Sequence, residues 1–236
     1  MQSILKIGLV IADMGEFAPF ASYAEGSLLE SGEYLGRQGK IFTVKGEKRE
    51  AQVHCIICNV GKVNAAAVTA HLIDKGCEII LNFGLSGGVS GVGRGELTIA
   101  NRYLEHDFDL TTIGYAPCEK PGQDYIYEAD SRLLELFTKI IPSAVVGTAV
   151  CGDRFICNEA DRLFLKETFG AVSCDMETGA IAAVCKMANV PFIALRRISD
   201  DAGSDAESSY RQMNESPETI LADSFYNALC SVVDEW

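Results

Sequence analysis

Histidine is scarce here, three in 236 residues, and His54, His71 and His106 lie too far apart in sequence to make the close ligand pairs of a zinc site. The nine cysteines are scattered. Cys55-Ile-Ile-Cys58 has C-x-x-C spacing but sits inside an apolar run with no second Cys/His pair to complete a site, so the thiols are read as reduced core residues. No metal and no organic cofactor is expected. Basic residues are also few, 20 against 33 acidic ones, for a formal net charge of −13. That balance argues against a nucleic-acid backbone or an anionic membrane as the main partner and leaves a small molecule. No apolar run approaches the ~20 residues that span a bilayer. The first one, residues 7–12, is strand-sized and leads to Asp13. Neither a leader nor a membrane segment is expected, and the cytoplasm is the expected compartment. Neither G-x-x-x-x-G-K-S/T nor G-x-G-x-x-G occurs, which argues against nucleoside triphosphates and dinucleotides.

What is present is alternation. Apolar content is 48% and charged content 22%, ordinary for a folded soluble chain, and the length suits one α/β domain over residues 1–236. Strand-sized apolar runs occupy residues 5–12, 40–44, 51–58, 78–83, 96–104, 144–151, 172–174 and 192–198. Helical patterns occupy residues 61–74, 130–140 (capped by Asp130 or Ser131), 159–168, 177–187 and 217–233. Residues 111–124 hold two prolines and two glycines and form a long loop, which is uncommon without a function. Residues 203–217 are expected to be a polar loop. No internal repeat or linker appears. A mostly parallel sheet with helices on both faces is the economical arrangement.

Several strand ends carry residues suited to chemistry. Glu177 opens a helix directly after strand 172–174, and Asp200 follows strand 192–198. Ligands of open α/β sheets bind outside the carboxyl ends of strands, and paired carboxylates there suit charge separation at a sugar carbon. Alternatively, Asp200 is a strand-end cap or a partner for Arg196 or Arg197, and Glu177 a helix-start acid. Asn82-Phe-Gly-Leu-Ser-Gly-Gly88 is read as a glycine loop whose backbone N–H groups, at Ser86 and Gly87, approach a ligand closely, or as a tight turn. Cys151-Gly-Asp-Arg-Phe-Ile156 offers an aromatic and an aliphatic beside free backbone groups, which can hold a flat heterocycle or anchor a buried loop. Lys62, at a helix start, is read as a solvated lysine.

Taken in order, Lys6-Ile-Gly, Gly61-Lys-Val63, Gly84–Gly88, His106-Asp-Phe-Asp-Leu-Thr111 with Gly114-Tyr115, Gly152-Asp-Arg-Phe-Ile156, Met176-Glu177 and Arg196–Asp200 resemble the 5′-methylthioadenosine/S-adenosylhomocysteine nucleosidases of the purine nucleoside phosphorylase superfamily. The resemblance covers nearly the whole chain. It implies a phosphorylase/hydrolase-like three-layer α/β/α domain with a central mixed, partly barrel-like sheet, a homodimer, and hydrolysis of the N-glycosidic bond of an adenine thionucleoside. It also implies roles: Asp200 as the general acid on the leaving purine, Glu177 on the ribose hydroxyls and the sugar cation, and Glu16 on the attacking water. Phe155 would stack on the purine while the Ile156 backbone bonds its edge. Val60, Met176 and Tyr210 would line the sugar and 5′ pocket, with Ser199 and Arg196 supporting the carboxylates. Tyr115 and Pro121 match positions that reach the neighbouring subunit's pocket.

Two positions depart from the family pattern. Leu85 stands where a Ser or Thr usually follows the first glycine, with Ser86 one later, and Asp13 stands where Met is common. A carboxylate at that place is costly to bury without a partner. The reaction type is unaffected, but the substrate stays open between a thioadenosine, a futalosine-type nucleoside and another purine nucleoside. Phosphorolysis is the second reading, but it needs an anion site, and residues 12–20 contain no basic residue while Gly87-Gly88 is followed by Val89-Ser90. A non-catalytic nucleoside-binding protein is the third; three separately placed acids argue against it, because binding alone needs no acid aimed at the leaving base.

Overall fold

The computed structural model describes residues 4–216 and 218–236. In chain order the elements are β1 (Leu5–Ile11), α1 (Met14–Phe17), α2 (Ala21–Glu25), β2 (Leu28–Tyr34), β3 (Arg37–Lys45), β4 (Glu50–Ile57), α3 (Lys62–Asp74), β5 (Ile79–Gly88), β6 (Leu97–Glu105), β7 (Ile126–Glu128), α4 (Ser131–Ile140), β8 (Val145–Cys151), α5 (Glu159–Phe169), β9 (Ala171–Asp175), α6 (Thr178–Ala188), β10 (Phe192–Asp200), α7 (Ala206–Asn214) and α8 (Ile220–Glu235).

All ten strands belong to one mixed sheet. Five of them, β5, β9, β8, β6 and β10, close into a ring because β10 pairs with both β6 and β5. From β5 the sheet continues outward through β1, β4 and β3 to β2. Parallel pairing along β4, β1, β5 and β10 brings the carboxyl ends of these strands to one edge. Among the described residues five pairings are parallel and five antiparallel, so the sheet is mixed rather than mostly parallel as expected; the run at 40–44 pairs antiparallel with both neighbours. β10 is buried at all nine positions, which is why it shows no alternation.

Helices cover both faces. One apolar cluster packs α4 and α8 against the sheet through Leu133, Phe137, Phe225 and Leu229. A second packs α3 and α6 through Val68, Leu72, Ile181 and Cys185, and a third seats Leu165 of α5 near β8 and β9. Asp130 caps α4, its Oδ1 accepting from the N–H of Arg132 and Leu133, each at 3.0 Å, so the expected cap is this aspartate. All nine cysteines are free; seven are buried, Cys230 is half-buried and Cys157 is exposed. Among the described residues, no helix is long and apolar enough to cross a membrane.

Three further expectations need correction. Residues 206–214 form helix α7 rather than a polar loop, and Pro217, where that loop and the last helix were expected to meet, lies outside the described residues. The glycine segment is strand, not loop: β5 runs through Gly88, with Gly87 paired to Cys174 and to Asp200. Its glycines are there for space. A Cβ on Gly84 would collide with Arg196 Nη1 and Glu16 Oε1, and one on Gly87 would lie 3.0 Å from Cys174 Sγ and 3.1 Å from Asp200 Oδ1. Finally, β2 was not expected; it is an edge strand almost wholly exposed, so it lacks the apolar signature of its neighbours.

Candidate active site

A cavity of about 240 Å³ opens where the carboxyl ends of β1, β5, β9 and β10 meet. Its walls include all three expected acids, Glu16, Glu177 and Asp200. Each is delivered by a different local device. Glu16 sits in the single turn α1, whose start is fixed by Asp13: the Asp13 Oδ1 accepts from Glu16 N–H at 3.0 Å. The Glu16 carboxylate then accepts from two backbone donors, Ala12 N–H at 3.2 Å and Leu85 N–H at 2.6 Å.

Glu177 stands at the N-cap position of α6 but makes no capping bond itself. Capping is done by Asp175, which accepts from Glu177 N–H, Thr178 N–H and Thr178 Oγ1 at 2.9, 2.8 and 2.7 Å. Glu177 is thereby freed for the cavity. Its Oε1 accepts from Gly61 N–H at 2.9 Å, at a glycine whose φ of 104° disfavours a side chain. Asp200 ends β10, with Ser199 Oγ 2.7 Å from its Oδ2 and Ala202 N–H donating to its Oδ1 at 2.8 Å.

Arg196 lies just behind the wall, 1% exposed, and joins two of the acids electrostatically. Its Nη2 is 3.6 Å from both Asp175 Oδ1 and Glu177 Oε2, and its Nη1 donates to the Leu85 carbonyl at 3.2 Å. Charges so buried persist only when paired. Burial pushes the Glu16 carboxyl up to about 8, against the pull of Arg196 and helped by Asp13 and Glu177. Burial also raises Glu177, again opposed by Arg196. Asp200 is raised by burial too, with Ser199 and Ala202 holding it back. Two acids raised by burial in one cavity can deliver one proton and accept another.

The remaining expected residues divide cleanly. Val60, Ser86, Gly87, Phe155, Ile156, Met176, Ser199 and Tyr210 line the same cavity. The Ser86 hydroxyl is buried without a hydrogen-bond partner among the described residues, and Phe155 is 42% exposed with its ring free to cover a ligand. Tyr115 and Pro121 are not brought to the cavity of this chain; both are exposed on the long loop. Lys62 is not a solvated lysine but is paired with Glu105 at 3.1 Å and Asp107 at 2.6 Å. Asp13 has partners after all: Tyr210 Oη at 3.3 Å and Asn214 Nδ2 at 3.4 Å donate to its Oδ2. Asp175, Arg154 and Cys174 also contact the cavity and were not anticipated. The Cys-Asp-Met-Glu spacing, with two acids two residues apart, was the available signal for Asp175.

A profile of the Phosphorylase superfamily matches residues 6–233. A 5′-methylthioadenosine/S-adenosylhomocysteine nucleosidase of an Exiguobacterium species is 35% identical over 173 residues, 70% of this chain and 74% of the relative. The chain belongs to the 5′-methylthioadenosine/S-adenosylhomocysteine nucleosidase family of the phosphorylase superfamily. Among solved structures, the Helicobacter pylori nucleosidase of that name superposes with a TM-score of 0.89 at 26% identity, covering 100% of both chains. It was crystallised with an aminopyrrolopyrimidine joined to a thioether-bearing pyrrolidinol. The futalosine hydrolase of the same organism superposes with a TM-score of 0.87 over 96% of this chain and 97% of its own, at 24% identity. At that identity the likeness is one of fold. The nucleosidase family's mixed, barrel-centred fold is the one described above.

Proposed function

We propose that this chain hydrolyses the N-glycosidic bond of a purine nucleoside, 5′-methylthioadenosine or S-adenosylhomocysteine in the family's terms, releasing adenine and the thioribose. The observation that carries the reading is the placement of three acids with different partners around one cavity. A purine anion leaves poorly, so a proton must reach its imidazole ring as the bond breaks. Asp200, raised by burial and held by neutral donors, supplies it. The sugar then carries positive charge. Glu177, fixed by the Gly61 N–H and ion-paired to Arg196, binds the ribose hydroxyls and stabilises that cation without reorganising. Water attacks the sugar carbon and gives its proton to Glu16. Base and free sugar leave, and the proton gained at Glu16 balances the one lost from Asp200. Phe155 stacks on the base, the Ile156 backbone bonds its edge, and the free Ser86 hydroxyl faces the sugar.

Water rather than phosphate is the nucleophile. The cavity wall holds four carboxylates, Glu16, Asp175, Glu177 and Asp200, and one arginine, Arg154, which is already paired to Asp161. Arg94 is engaged with Ser209 and Gln212 on the surface. With both arginines engaged, no free cation among the described residues of the wall is left to hold a phosphate dianion.

The chain works as one domain, residues 1–236, and as a homodimer in which Tyr115 and Pro121 complete the partner's pocket. Supporting this, the loop that carries them also exposes Ile113, 68% accessible. Nine free thiols fit a reducing compartment, the cytoplasm. Base release from methylthioadenosine, S-adenosylhomocysteine, futalosine, adenosine and inosine in phosphate-free buffer tests the reading. Adenine and free thioribose are expected; a requirement for phosphate, with ribose 1-phosphate as product, would overturn it.

A further inference from the structure

Lys62 opens α3 directly after the glycine that holds Glu177, yet it does not line the cavity. Its two ends are tied to the same neighbours. The Nζ lies 3.1 Å from Glu105 Oε2 and 2.6 Å from Asp107 Oδ1, while the backbone N–H donates to Asp153 Oδ1 at 2.8 Å. Asp107 Oδ2 in turn accepts from the Asp153 N–H at 2.9 Å. Lys62, Asp107 and Asp153 thus close a ring that starts and ends on Lys62. Glu105, at the carboxyl end of β6, gives its other oxygen to Lys120 on the long loop. Along this row two lysines alternate with two carboxylates. None of the four side chains is more than 23% exposed, so the pairs are shielded from the water that makes surface ion pairs weak.

The ring joins two walls of the cavity. On the sugar side, the Gly61 N–H holds Glu177 Oε1 at 2.9 Å. Gly61 has no side chain to pin it, and its φ is 104°. Its peptide is held from α3 instead: Asn64 Nδ2 donates to the Val60 carbonyl at 2.7 Å, and Asp153 takes the next N–H, that of Lys62. On the base side, Asp153 leads through Arg154 to Phe155 and Ile156 on the cavity wall. That segment is seated on Asp107 as well, because a Cβ on Gly152 would lie 2.5 Å from His106 Nε2 and 3.0 Å from Asp107 Cγ.

We propose that Lys62 is a positioning residue: through Asp107 and Asp153 it keeps the Glu177 anchor on the sugar side in register with the Phe155–Ile156 segment on the base side. The proposal rests on the nucleosidase reading, in which charge develops on the sugar as the base is protonated. No bond changes at Lys62, so its loss acts through Glu177. The sugar is cationic only in the transition state, and a displaced carboxylate therefore costs rate more than substrate affinity.

The test compares wild type with Lys62→Met, Lys62→Arg and Lys48→Met, the last removing an equal charge from a remote ion pair with Glu235. For the nucleoside that wild type turns over fastest, Lys62→Met should lower kcat about 10- to 100-fold, the cost of a misplacement of about 1 Å. KM should move less than about threefold. Affinity for a pyrrolidinol nucleoside analogue, cationic at its ring nitrogen, should fall at least about tenfold more than affinity for neutral 5′-methylthio-7-deazaadenosine, a split that a general loss of folding does not produce. Lys62→Arg keeps a cation between the two carboxylates and should recover most of the loss, and Lys48→Met should lose nothing. Asp107→Asn cuts the same ring and should show the same split at smaller size, which keeps the test alive if Lys62→Met does not fold. Kinetics and affinities unchanged in both ring variants, equal loss of the two affinities, or Lys62→Arg as poor as Lys62→Met overturns the proposal. Wild type that binds both analogues but releases no base overturns the nucleosidase reading alone, since the affinity split still decides the role of Lys62. Binding of neither overturns both.

Discussion

The site contains two neighbourhoods built from the same residue type, in which burial is opposed by different partners. Around Arg196, Asp175 and Glu177 share one buried guanidinium at 3.6 Å each, and Glu16 feels the same cation. Around Asp200 no cation is in contact among the described residues: a serine hydroxyl and one backbone N–H are its partners. Burial raises all three carboxyls, Glu16, Glu177 and Asp200; a guanidinium opposes it in the first neighbourhood, and hydrogen bonds from neutral donors oppose it in the second. Position in the sheet does not separate them, since both neighbourhoods hang on β10. The sharing of Arg196 does.

That contrast can be broken from either side. The largest effect is expected at Asp200: Asp200→Asn should lower kcat about 100- to 10,000-fold, the range for loss of a general acid, while affinity for a non-hydrolysable nucleoside analogue, read by calorimetry, changes little. Unchanged turnover would remove Asp200 from the mechanism. Next is Arg196→Met, which strands buried carboxylates; removing one partner of a buried ion pair costs about 3–5 kcal/mol, readable by urea unfolding. Arg196→Lys should recover part of it, and a variant as stable as wild type would mean the acids do not depend on this cation.

Glu16 sharpens the comparison through pH. Its carboxyl sits at about 8 in the folded chain against an ordinary 4.5. Folding therefore favours the protonated form, and Glu16's contribution is present below about pH 4.5 and lost as pH rises through 8. The unfolding free energy of wild type should fall between pH 5 and 9, and more steeply than that of Glu16→Gln. In wild type, kcat/KM should climb as pH approaches 8, where Glu16 becomes able to take a proton; a profile flat across that window would exclude it as the base. The smallest effect is a control remote from both neighbourhoods. Asp130→Ala removes the α4 cap and should cost about 1 kcal/mol with turnover unchanged.

Glu177 and Asp200 were legible as acids following strand-sized apolar runs, a pattern that also fits a helix-start acid and a strand-end cap, whereas Glu16 came only through the family resemblance. Most elements with a strand-length apolar run or a helical period were legible too. What escaped reading shares a physical cause: the deciding partner was distant in sequence. The glycines at 84, 87 and 88 look like a loop until Arg196, Cys174 and Asp200 are seen to occupy their missing side-chain space. Helix α7 is polar and largely exposed, so its sequence resembles a loop, yet it carries Tyr210 to the cavity. Edge strand β2 buries almost nothing and leaves no pattern. Which of Asp175 and Glu177 caps α6 and which faces the ligand depends on Gly61 and Arg196, neither of them a neighbour in sequence.

The distribution of thiols has a practical consequence. Only Cys157 is exposed, and it stands on a second cavity beside Phe155 and Tyr210. A maleimide dye added briefly to the native protein should therefore attach there first, beside two side chains that also line the inner cavity, and only more slowly at half-buried Cys230. Its emission would report on that surface with no engineered cysteine and no radiolabel, and the seven buried thiols would respond only once the chain unfolds.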